Sequence, residues 1–134
     1  MRPLPHISAL IFFCFSGLLL AELPPSAYET MQKKATEALN LEVLQVDVQA
    51  GKAPGQQQIH IMALVDKVLR TSNNLSEGDV INVVYTVTPH SNASTGQREI
   101  PILSERIKTP AYLSKVENSA NYQPVAGAMS FRNF

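Results

Sequence analysis

The sequence predicts a mainly β fold: five strands forming an antiparallel barrel, or alternatively a β-sandwich, with one N-terminal α-helix packed on it. Three observations predict it. The apolar period changes from 3.6 to 2 near Leu41. Short apolar runs then alternate with polar loops of about 7–12 residues. Nothing between those runs is long and periodic enough for the crossover helix that a parallel sheet needs.

The chain opens on an export signal. Arg2 supplies a positive start, and Ile7 to Leu20 is apolar except for Ser8, Ser16 and Gly17. Ala21 is a small residue at the expected cut, and Glu22 begins the expected mature chain. The run falls short of the roughly 20 apolar residues of a spanning helix, and Pro24 and Pro25 end it abruptly. An uncleaved N-terminal anchor is the alternative. Cys14 follows Phe12-Phe13 in mid-run, which does not suit a lipoprotein signal. Residues 1–21 are thus expected to be removed, leaving one domain over 22–134 in the periplasm or outside the cell, with no stable membrane span.

Removing the signal changes the composition. The full chain has 11 Lys+Arg against 11 Asp+Glu and one cysteine. The mature part loses Arg2 and Cys14, so it carries a small net negative charge and no thiol. Disulfides and multi-cysteine zinc sites are excluded. At 113 residues the domain can stand on core packing, since domains of about 60 residues already do.

Along the mature chain, Ala27 to Asn40 is predicted to be helical. Tyr28, Met31, Ala35, Ala38 and Leu39 form its apolar stripe, Glu29 and Lys33 an i,i+4 pair, and Ser26 its cap. Leu44, Val46 and Val48 alternate with Gln45 and Asp47 as the first strand. Gly51, Pro54 and Gly55 mark a hairpin loop. Ile59 to Arg70 is a long strand, with Ile59, Ile61, Ala63 and Val65 on one face and Met62, Leu64 and Val68 on the other. Asp66-Lys67 breaks it and predicts a bulge. Val80 to Val87 is the next strand, with Ile81, Val83, Tyr85 and Val87 on one face. A polar loop over Thr88 to Arg98 follows, and then two short strands, Glu99 to Leu103 and Ala111 to Val116. Pro110 stands at the start of the second, where its missing amide costs least. The tail, Tyr122 to Phe131, holds small residues between two aromatics and reads as a closing segment.

The run Leu75-Ser76-Glu77-Gly78-Asp79-Val80-Ile81-Asn82-Val83 follows a strand ending Val68-Leu69-Arg70. Gly78 permits a positive φ, and Asp79 can accept backbone amides in the turn. This order resembles the OB-fold barrels of the netrin-module and tissue-inhibitor-of-metalloproteinases type. The helix end Ala35 to Leu39 and the closing Tyr122 to Phe131 resemble small uncharacterised bacterial secreted proteins. The resemblance covers roughly residues 28 to 131 and implies a five-stranded OB-like barrel in an exported bacterial protein. The animal inhibitors chelate the protease zinc through an N-terminal cysteine; with Glu22 first and no cysteine, that mechanism does not transfer. The usual OB-fold helix between the third and fourth strands is also unmatched, because Thr88 to Arg98 is short and polar.

No catalytic constellation emerges. His60 sits between Ile59 and Ile61 and faces away from them; His90 lies in a polar loop; His6 belongs to the signal. Two histidines 30 residues apart make no metal motif. Asp47 and Asp66 could lie on neighbouring strands and act as a general acid/base pair, at positions that otherwise face solvent or a strand end. Glu99 and Glu105 flank a short strand and read as solvated. Gly51-Lys52-Ala53-Pro54-Gly55 lacks the following helix of a phosphate cradle. Lys67, Arg70, Arg98, Arg106, Lys108 and Lys115, with Tyr85 and Tyr112 as stacking rings, are the residues a single-stranded nucleic acid would need. The negative mature charge and the export signal oppose that use. Asn74-Leu75-Ser76 and Asn92-Ala93-Ser94 fit the glycosylation sequon, and a bacterial source predicts no glycan there.

These readings predict an exported, non-enzymatic module that binds an exported or cell-envelope protein or peptide, without cofactor, metal or nucleic acid. The alternative is a carrier of a small apolar ligand in the barrel. Tyr85, Tyr112, Tyr122 and Phe131 are the candidate binding residues. A hydrolase built on scattered acids and histidines is the weakest alternative.

Overall fold

A computed structural model describes residues 23–88 and 99–133. The expected signal segment with Ala21 and Glu22, and also His90, Asn92 and Arg98, lie outside the described residues. Helix α1 spans Pro25–Lys34. Five strands follow: β1 Glu37–Ala50, β2 Gln57–Arg70, β3 Val80–Val87, β4 Lys108–Lys115 and β5 Tyr122–Pro124. A 3-10 turn at Gly127–Met129 ends the sequence of elements.

α1 begins where its prolines allow. Pro24 is the N-cap and Pro25 the first helical residue, where a missing amide costs nothing. Ser26 is therefore not the cap; its carbonyl accepts the Thr30 hydroxyl at 2.9 Å. The helix also stops six residues before its expected end at Asn40. Ala35 is extended, at φ −60° and ψ 133°. Arg70 closes the helix end: its Nε and Nη2 donate to the Ala35 carbonyl, and Nη2 also to that of Gln32, at 2.7–3.0 Å. Ala38 and Leu39 are buried in β1 instead, between β2 and β4. Strand pairing on both edges outweighs a local helix preference, which is worth only a fraction of a kcal/mol, about 0.7 or less, per residue.

The strands close into a barrel in the order β1-β2-β3-β5-β4. Four of the five pairings are antiparallel, and β3 with β5 is parallel, through the single bridge Val83↔Tyr122. The purely antiparallel expectation is thereby corrected. The reason is arithmetic: a closed ring with an odd number of strands cannot alternate direction throughout. The count of five is as expected, but its membership differs. Glu99 to Leu103 is not a strand. Pro101 lacks an amide, and its carbonyl is taken by the Tyr85 hydroxyl at 2.7 Å. Ile100 and Leu103 still pack against the core. The fifth strand is instead β5, inside the closing tail.

Inward residues alternate as strand geometry requires. Leu39, Leu41, Ile59, Ile61, Val83 and Leu113 are at most 1% exposed. The bulge expected at Asp66-Lys67 is present: Leu41 pairs with Val65 and Asn40 with Lys67, leaving Asp66 unmatched. A second slip at Leu44, between Val43↔Ala63 and Gln45↔Met62, moves the inward face from Val43 to Val46. The turn before β3 forms as its sequence predicts. Gly78 has φ 92°, and the Asp79 carboxylate accepts the Ser76 amide at 2.8 Å.

Candidate functional site

Three of the four candidate aromatics meet inside the barrel. Tyr85 points inward from β3, and its ring centroid lies 5.9 Å from that of Phe131 at 45°. Tyr122 and Phe131 are each 5% exposed in the same core. Burial pushes the Tyr85 phenol up to about 12, against a smaller opposing effect of the Leu103 backbone. Burial also raises that of Tyr122, and the charges of Glu37 and Asp79 add to it. Tyr112 does not join them. It faces outward, and its hydroxyl donates to the Asn133 side chain at 2.7 Å. There it borders a groove of about 400 Å³ with Gln32, Lys33 and Arg70.

The acids are dispersed. Asp47 lies opposite His60, six residues from Asp66 along β2, a separation of about 20 Å at the strand rise. The Asp47 carboxylate accepts from Gln45 Nε2 at 3.2 Å, and Asp66 sits 3.8 Å from Lys108 Nζ. Glu105 accepts the Val46 amide and Glu99 the Thr88 amide. Asp47 and Asp66 therefore form no acid/base pair. His60 is exposed and shares a 3.1 Å hydrogen bond with Asn82. Among the described residues no group of three or more His, Cys, Asp or Glu can hold a metal ion, and no helix is long and apolar enough to cross a membrane. The proposed cationic patch is also divided: Arg70 caps α1, Lys108 faces Asp66, and Tyr85 is buried.

Two further features stand outside the candidate residues of the sequence. The first is the outer face of β2 and β3. Leu64 lies directly opposite Val80, and Met62 opposite Asn82. Val80 is 53% exposed, while Leu64, Met62 and Val84 are half-buried on the side away from the core. They form an outward apolar stripe with His60 and Asn82 beside it. Its signal was visible in Met62 and Leu64, apolar where alternation calls for polar residues.

The second is Glu37, fully buried at the start of β1. Its Oε1 accepts four hydrogen bonds: the Thr71 hydroxyl at 2.8 Å, and the Ser72 amide, Asn73 amide and Asn73 Nδ2 at 3.0 Å. Its Oε2 is buried with no hydrogen-bond partner. Burial alone pushes this carboxyl upward, but hydrogen bonds from Thr36, Thr71 and Asn73 outweigh it and hold the group below its ordinary value. The pattern Glu37, Leu39, Leu41, Val43 places Glu37 on the inward face once those residues are read at period 2.

Comparison with protein-family models, curated proteins and solved structures found no match.

Proposed function

We propose that the chain is an exported, non-enzymatic module with an OB-like barrel that binds a protein or peptide of the cell envelope or exterior through its outer surface. The strand order β1-β2-β3-β5-β4, with its one parallel pair, supports the OB-like assignment and a distant kinship with the netrin-module barrels. The apolar run before Ala21 supports export. The observation that carries the binding reading is the outward Leu64–Val80 pair, apolar surface that the fold itself leaves uncovered.

An interior role has less support. Tyr85, Tyr122 and Phe131 fill the barrel with their own rings, so an apolar ligand must displace core side chains. A nucleic-acid platform lacks its chemistry on this face. The outward residues of β2 and β3 include Gln58, His60, Met62, Asn82, Val84 and Thr86, with no Phe, Tyr or Trp ring and no Lys or Arg among them.

Val80 is exposed enough for a charge to be placed there without touching the core. Tagged wild-type protein and a Val80→Glu variant are each used to capture partners from the exported fraction. A protein retained by the wild type and lost by the variant, with the fold intact by circular dichroism, is the expected result. Equal retention by both, or repeated capture of nothing by either, overturns the reading.

A further inference from the structure

We propose that Glu37 is a proton-operated latch: its carboxylate holds the loop between β2 and β3 against the end of the barrel, and its protonation releases that loop. The inference stands apart from the partner-binding reading and does not depend on it.

The geometry is one-sided. The four donors to Oε1 come from three consecutive residues of one loop, Thr71, Ser72 and Asn73, and the Thr36 hydroxyl at the strand start adds to their hold on the carboxylate. The Thr71 hydroxyl then accepts the Asn73 and Leu75 amides at 3.2 Å, passing the hold further along. Leu75 packs on the core from that loop. The far end of the loop is fastened independently, by Gly78 N–H to the Val65 carbonyl and Val65 N–H to the Asp79 carbonyl, both 2.8 Å. Glu37 is thus the fastening of the near end alone.

The neutral carboxyl does not fit this arrangement. A proton on Oε1 meets four groups that are already donating to that oxygen. Oε2, the other oxygen that could take the proton, is buried and receives no hydrogen bond. The first placement sets donor against donor in a buried site, which folded proteins avoid. Charge-assisted bonds, about twice as strong as neutral ones, also revert to neutral ones. The strain is relieved when the loop moves and water reaches the carboxyl.

The surrounding charges do not substitute for the latch. Arg70, at the end of β2, is committed to the carbonyls of Gln32 and Ala35. Asp79, before β3, holds the Ser76 amide. Tyr122 on β5 remains a neutral phenol until well into the alkaline range. From the strand start and from β4 come only the hydroxyls of Thr36 and Ser114, which are 3.4 Å from each other. Among the described residues no ion pair involves Glu37. The sign follows. Because the folded-state carboxyl is held below its ordinary value of 4.5, the clamp is intact above that value and is lost as the pH falls through the lower, folded one.

The test is an NMR titration of the folded protein, taken from neutral pH downward until the Glu37 carboxyl has gained its proton. The side-chain carbon of Glu37 reports its protonation directly, and the Ser72 and Asn73 amides report the loop. Coincident midpoints, with amide protection at Ser72 and Asn73 lost over the same interval, are expected. In a Glu37→Gln variant the two amides no longer respond to pH. Separate midpoints in the wild type, or the same amide titration in the variant, overturn the proposal. The wild-type comparison decides the matter by itself if the variant does not fold.

Discussion

The two halves of β1 belong to one strand and differ in almost every respect. From Glu37 to Val43 the strand lies between β2 and β4, and every second residue is sealed in the core. From Leu44 to Ala50 it pairs with β2 alone, and Leu44 and Val48 stand 39% and 46% exposed. The second half has the clean alternation that marks a strand. The first half alternates too, Leu39, Leu41 and Val43 with Asn40 and Glu42, but its start, Ala38 and Leu39, also continues the helical stripe that begins at Tyr28. The half whose strand character is plainest in the sequence is thus the one that contributes least to the core, because the local pattern does not show which edges a strand will pair.

The comparison breaks or holds on a pair of truncations. Leu41→Ala removes a side chain 1% exposed from the doubly paired half, and a cost of about 2–5 kcal/mol is expected. Val48→Ala, in the singly paired half, is expected to cost about 0.5 kcal/mol or less. Urea unfolding midpoints at unchanged slope measure both. Equal losses would mean that the outer arm is as integral to the barrel as its inner half.

What was legible in the sequence follows the same division. β2 and β3 are long, rich in Val and Ile, and bounded by Gly, Asn and Ser; their ranges agree closely with the pattern, and so does the bulge at Asp66. The helix end was obscured because Ala38 and Leu39 suit either element, and the contacts that decide between them come from Arg70, Leu113 and Tyr112, distant in sequence. β5 has three residues, one of them Pro124, too few to show a period. Of the candidate aromatics, Tyr85, Tyr122 and Phe131 do converge, as an interior packing cluster; Tyr112 shares their chemistry but sits at the opposite parity of its strand. Glu37 escaped notice because a lone carboxylate in an apolar run looks like a solvated helix position until its four donors are in place.

A smaller effect tests the aromatic cluster against the strand halves. Tyr85→Phe keeps the ring beside Phe131 and deletes the hydroxyl that donates to Pro101. The expected loss is about 1 kcal/mol at neutral pH. The alkaline limb gives a second reading. With its folded value raised from 10.0 to about 12, Tyr85 stabilises the fold fully below its unfolded value, and that contribution disappears as the pH rises through the folded one. The decline in stability over that window is expected to be shallower in Tyr85→Phe than in the wild type. Identical alkaline limbs would place the phenol in a wetter setting than its 8% exposure implies.

The smallest expected change in stability concerns the free edge of the outer half. Beyond Val43, which exchanges hydrogen bonds with Arg106 and Ile107, β1 has no strand on its β4 side among the described residues. The Val46 amide is instead accepted by the Glu105 carboxylate at 3.2 Å. An unpaired edge carrying Val46 and Val48 is a template for another strand, and charged groups placed across it are a known way to prevent such pairing. Glu105→Ala removes both the acceptor and the charge. Its unfolding free energy is expected to stay within about 0.5 kcal/mol of the wild type, while sedimentation velocity shows more concentration-dependent association. Glu105→Gln keeps an acceptor for Val46 and loses only the charge, so it is expected to fall between the two. Wild-type behaviour in Glu105→Ala would show that the edge is guarded by its own geometry or by Asp47. The exposure of the outer half of β1 would then require no acid at position 105 to remain safe in solution.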